Sequence, residues 1–126
     1  MGVKGMMVAR LLLCTVFLAT AADAVMDIRG FAGGMAHFGL PFPLLSAFAI
    51  VVFLVGASLL VITDLRGLGW LGATALALFT LLTIPIGHPF WQFEGMRRME
   101  EYHIALEHLS VIGGLAVAAF LSLRRA

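Results

Sequence analysis

The charged residues of this chain are spaced so that long apolar runs lie between them. Phe38 to Thr63 contains no charged residue, and Leu40 to Ile62 holds fifteen Leu, Ile, Val or Phe. At about −0.4 kcal/mol each on insertion scales, these contribute roughly −6 kcal/mol, which offsets Pro41, Pro43 and Ser46. A transmembrane helix is expected over about 44–62. Gly67 to Gly87 is likewise uncharged, and a helix over about 68–84 should end where Pro85 and Pro89 bracket Gly87-His88. A further span over about 104–123 is interrupted only by Glu107 and His108, close to its start, where charge costs least.

The first apolar segment has two readings. Met1 to Arg10 resembles a basic n-region, Leu11 to Ala21 an apolar h-region, and Ala22-Asp23-Ala24 a cleavage site, which is the pattern of a secretory signal peptide. The other reading is a retained span over about 8–26, with Arg10 snorkelling to the interface, and this is the expectation adopted. Residues 1–126 then form a single domain, an all-α integral membrane protein built as a four-helix transmembrane bundle.

Composition agrees with this pattern. Of 126 residues 62% are hydrophobic and 12% charged, against about 25% charged in soluble domains. Spanning helices use nearly the whole length, leaving no room for a separate soluble domain. A net charge of +1 without a basic stripe excludes nucleic acid as a partner. The lone Cys14 has no partner for a disulfide or a Cys-based metal motif and reads as apolar filler. Small residues at four-residue spacing, Gly69, Ala73 and Ala77 in the third span and Gly114 and Ala118 in the fourth, suit close helix packing.

Basic residues set the expected orientation. Lys4, Arg10, Arg66, Arg124 and Arg125 share one side, against Arg29, Arg97 and Arg98 on the other. Both termini are therefore expected in the cytoplasm, with the chain in a bacterial inner membrane. Asp23, Asp27, Glu94, Glu100, Glu101, Glu107 and all four histidines fall on the outer side. That face is the expected docking or ligand surface.

Five segments carry a family resemblance: Val8-Ala9-Arg10-Leu11-Leu12, Gly39-Leu40-Pro41, Gly56-Ala57, His88-Pro89-Phe90-Trp91 and Leu109-Ser110-Val111-Ile112-Gly113-Gly114-Leu115. In this order and spacing they resemble the DoxX family of small bacterial membrane proteins, over nearly the whole chain. The resemblance implies a four-helix membrane fold and an association with redox enzymes, since some relatives are subunits of thiosulfate:quinone oxidoreductases. Departures stand beside it. Where many members have Glu in the second span this chain has Phe53, and where they have Lys-Asn before the Gly-Gly helix it has Glu107-His108.

Several constellations carry candidate chemistry. Glu100, His103 and Glu107 fall within about 60° of one another on a helix and form a candidate metal set, with Asp23 and Asp27 as further donors from the first helix. The competing reading is an ordinary charged helix start, paired with Arg97 or Arg98. Met96, Met99 and His103 offer ligands suited to copper(I), although methionine is also a common apolar gap-filler. The aromatic group Phe90, Trp91, Phe93 and Tyr102 reads as an interfacial belt, or as the wall of a quinone pocket. In the second case His88 or His108 would hydrogen-bond a carbonyl oxygen, Glu107 would handle protons, and Trp91 would stack. No nucleophile triad, phosphate loop, dinucleotide fingerprint or haem-attachment motif is present. The sequence favours a non-catalytic accessory or anchoring subunit of a membrane redox assembly, with a membrane or periplasmic protein as partner. The alternative is a quinone-reactive oxidoreductase subunit.

Overall fold

The computed structural model describes residues 2–125, with the backbone alone for Arg125. Met1, Ala126 and the Arg125 side chain, of which Met1 and Arg125 enter the basic n-region and the orientation count above, lie outside the described residues. Five α-helices follow in order: α1 (Val3–Met26), α2 (Ile28–His37), α3 (Pro43–Thr63), α4 (Gly69–Gly87) and α5 (Gly95–Arg125). Short 3-10 turns lie at Leu65–Gly67 and Phe90–Gln92, and there is no strand among the described residues. Helices α1, α3, α4 and α5 are each long and apolar enough to cross a membrane. The protein is a multi-pass, all-α membrane bundle of four spanning helices.

The spanning helices differ at their ends from the expected segments. Helix α4 runs through Pro85 to Gly87 before the chain turns. Helix α5 begins at Gly95, whose φ of 63° suits a residue without a Cβ, and so starts well before position 104. Its 31 residues make a rod of about 46 Å at 1.5 Å per residue, longer than the roughly 30 Å hydrocarbon core. Glu100 to His103, which precede the expected span, thus lie on the same continuous helix as Glu107.

Helix α2 was not foreseen by the apolar-run reading. Its Ile28, Phe31, Ala32 and Met35 repeat at i, i+3, i+4 and i+7, the stripe of a half-buried helix. That stripe packs on Ala47 and Ile50 of α3. The Asp27 carboxylate caps the helix by accepting from the Gly30 amide at 3.1 Å.

Around the bundle the helices succeed one another as α1, α3, α4 and α5, and contact between α1 and α5 is sparse. Cys14, Phe17, Leu54, Val61, Leu76 and Leu115 form the core. Cys14 is fully buried there, as an apolar filler should be. Gly72 lets α3 and α4 approach closely, since a Cβ on it would stand 2.5 Å from the Ala57 carbonyl oxygen.

Arg10 corrects another expectation, because it does not snorkel. Its side chain is buried, with Nη2 3.9 Å from Asp64 Oδ2. Asp64 Oδ1 accepts from the Gly69 amide at 2.8 Å and from the Ser122 hydroxyl at 2.6 Å, and the Trp70 amide donates to Ser122 Oγ at 2.9 Å. This network caps α4 and ties together α1, the loop after α3 and the last turns of α5. It outweighs snorkelling because a buried carboxylate, with its other donors in place, offers the guanidinium a counter-charge.

Candidate functional site

The site lies at the opposite end of the bundle. Helix α4 stops at His88, whose amide donates to the Ile84 carbonyl at 2.9 Å. Pro89 follows and cannot continue the backbone ladder. The 3-10 turn Phe90–Gln92 reverses the chain, and the first turns of α5 then pass back over His88. His88 Nδ1 lies 2.6 Å from Glu101 Oε2, and the rings of His88 and His108 meet edge to face at 5.1 Å. Three ionisable side chains, from the end of α4 and from two levels of α5, converge there. The His88 side chain keeps 28% of its surface exposed and Glu101 18%, so a ligand or partner can reach the pair.

Hydrogen bonding fixes how these rings present themselves. His108 Nδ1 is 2.9 Å from the Ile104 carbonyl oxygen, which can only accept, so Nδ1 carries the proton and Nε2 is the remaining position. At His88 the Nδ1–H likewise donates to the Glu101 carboxylate. Both imidazoles therefore keep Nε2 for other contacts. His103 Nδ1 bonds the Met99 carbonyl at 2.9 Å in the same way.

Beside the pair lies an aromatic group. Phe90 meets Trp91 at 5.2 Å and Tyr102 at 5.3 Å, both edge to face, and the Arg97 guanidinium sits 4.0 Å above the Phe93 ring. Trp91 is half exposed, and its ring contact is Phe90.

Of the quinone set His88, Trp91, Glu107 and His108, the structure brings the two histidines together. Glu107 is exposed and lies 100° around α5 from His108. The carboxylate that pairs with His88 is Glu101. Its position seven residues before His108, on the same face, was the available signal. The metal set Glu100, His103 and Glu107 forms an exposed stripe, and no group of three or more His, Cys, Asp or Glu able to hold a metal occurs among the described residues. Met96 and Met99 are exposed. Phe53, at the position where the resembling family often has Glu, packs its ring against Phe79 at 5.5 Å.

Sequence reasoning also missed the interlocked Arg10, Asp64 and Ser122. One signal was present: Asp64 is the single acid on the side opposite the histidines.

The DoxX family model matches residues 5–89, and no curated protein and no solved structure matches the chain. The matched stretch runs from the first turn of α1 through α4 and His88, and ends before the α5 residues that complete the site. It covers more than half of the chain, which therefore belongs to the DoxX family of membrane proteins.

Proposed function

We propose that the protein is an accessory or anchoring subunit of a membrane redox assembly, held in a bacterial inner membrane with both termini cytoplasmic. Its histidine end faces outward and serves as the docking or ligand surface. The observation that carries this reading is the convergence of His88, Glu101 and His108. His108 lies within a spanning helix, where an ionisable group is costly unless it has a partner or a task. The extension of α5 beyond the length a bilayer needs, with Trp91, Met96, Met99 and Tyr102 exposed beside it, adds an apolar surface for a protein partner.

A second reading, a quinone-reactive subunit, is favoured by one feature: both histidines keep Nε2 available beside aromatic rings. Nε2 of His88 can bond the polar head of a quinone or its hydroquinone, while Phe90 and Tyr102 border the head. A bound quinone would supply the redox chemistry, and these residues would hold and orient it.

Purification of the full chain in mild detergent, with identification of co-purifying chains and extracted quinones, tests the readings together. His88→Ala should lower retention of the partner or quinone by about fivefold or more, the equivalent of about 1 kcal/mol. Unchanged retention of every co-purifying species in that variant would refute the site.

A further inference from the structure

Helices α1 and α5 are neighbours around the bundle, yet they are held close at one level. A Cβ on Gly114 would stand 2.9 Å from Leu13 Cδ1. From that contact stripes on the two helices run toward the histidine end. On α1 they pass through Val16, Thr20, Asp23 and Asp27, and on α5 through Val111, Glu107 and Glu100, at spacings that keep each set on one helix face. The seam between them is open to the lipid.

A groove in this seam and a hollow beside it, where α2 leaves α1, follow one face of α1. The groove, of about 470 Å³, is lined by Leu12, Leu13, Thr15, Val16, Ser110 and Val111. That volume falls within the roughly 300–1,000 Å³ of small-molecule sites. Toward the membrane surface the hollow, of about 230 Å³, is lined by Thr20, Asp23, Ala24, Asp27 and Phe31. The groove walls suit hydrocarbon, because the hydroxyls of Thr15 and Ser110 donate to the carbonyls of Leu11 and Leu106 in their own helices. The outer hollow suits a different group, because it offers two carboxylates and an aromatic ring.

We propose that this seam and the hollow beside it seat a cationic amphiphile, with a single apolar chain in the groove and an ammonium head against Asp23, Asp27 and the Phe31 ring. Charge complementarity selects the head. The ion pairs among the described residues are Arg10 with Asp64 and His88 with Glu101, so the hollow's acids are not neutralised by them. Asp27 commits Oδ1 to the Gly30 amide. Arg29 lies about 200° around α2 from Phe31, on its far side. Carboxylates repel a phosphate head and attract an ammonium, and an aromatic face adds to that attraction. Hydrocarbon chains gain nothing from leaving lipid for protein by the hydrophobic effect, so discrimination must come from the head and from the fit of the chain. This site is separate from the histidine cluster and does not depend on its proposed role.

Photolabelling in phosphatidylcholine bilayers tests the proposal, using three dodecyl probes with a diazirine in the chain and an ammonium, hydroxyl or phosphate head. The full chain should be labelled by the ammonium probe at residues 11–16 and 110–114, about tenfold above the phosphate probe, the equivalent of about 1.4 kcal/mol. Replacing both acids, Asp23→Asn with Asp27→Asn, should remove that preference while leaving hydroxyl-probe labelling unchanged. Val16→Trp should lower groove labelling by all three probes. Equal labelling by the three heads would overturn the proposal, as would labelling spread over lipid-facing Val52, Leu78 and Phe120. So would a dimer cross-linked through Leu12→Cys, since a second copy would then fill the seam.

Discussion

At one end of the bundle the side chains of Arg10 and Asp64 keep only 8% and 7% of their surface, whereas at the other His88 and Glu101 keep 28% and 18%. The two ends hold ion pairs of opposite character. The arginine end spends its polar atoms on the protein itself: one carboxylate serves an amide, a hydroxyl and a guanidinium that come from three different places in the chain. It also holds Asp64 and Arg66 at φ of 47° and 53°, a region that costs side-chain-bearing residues energy and persists only where surrounding contacts enforce it. The histidine end binds its groups by single contacts and leaves ring nitrogens directed elsewhere. Burial against a counter-charge inside the protein, as for Arg10 Nη2, which forms no hydrogen bond, marks structural polarity, and partial exposure with spare valence marks polarity available for function.

Substitutions at the two ends should separate these roles. The largest effect is expected from Asp64→Ala, which strands Arg10 in the interior without its counter-charge and removes a cap from α4. Loss of one partner of a buried pair costs about 3–5 kcal/mol, and thermal unfolding in detergent should show it as a large drop in Tm. The paired change Arg10→Met with Asp64→Leu should recover much of that loss, because it removes both charges. A single variant as stable as wild type would break the comparison at its stronger side.

Ser122→Ala should cost less, about 1–2 kcal/mol, because it removes a hydroxyl that accepts from the Trp70 amide and donates to Asp64. The same unfolding measurement checks it. The smallest effect on stability belongs to Glu101→Gln. A partly exposed pair contributes about 0.2–1 kcal/mol, so Tm should shift little. A Tm loss from Glu101→Gln as large as that from Asp64→Ala would make the histidine end structural too.

Much of the fold was legible because insertion into lipid is a nearly additive property of local composition. The runs around Phe38 to Thr63 and Gly67 to Gly87 specify spanning helices whatever surrounds them. Helix α2 was less legible because it is short and carries Gly30, Gly33 and Gly34, so its stripe becomes a helix through packing on α3. The gathering of acids and histidines at one end of the molecule could also be read from charge placement.

By itself, then, the sequence determined four membrane-crossing helices, the gathering of acids and histidines at one end, and which residues share each helix face. The tertiary structure alone decided what each face meets. Periodicity gives a residue's angle around its own helix and says nothing about the neighbour across the gap. Glu101 therefore pairs with His88, thirteen residues away, rather than with His108 on its own face. Arg10 turns inward rather than toward the interface because Asp64, at the end of another helix, is placed there with Ser122 from α5. Those partners are 54 and 58 residues apart in the chain, and only the packing of four helices brings them within bonding distance.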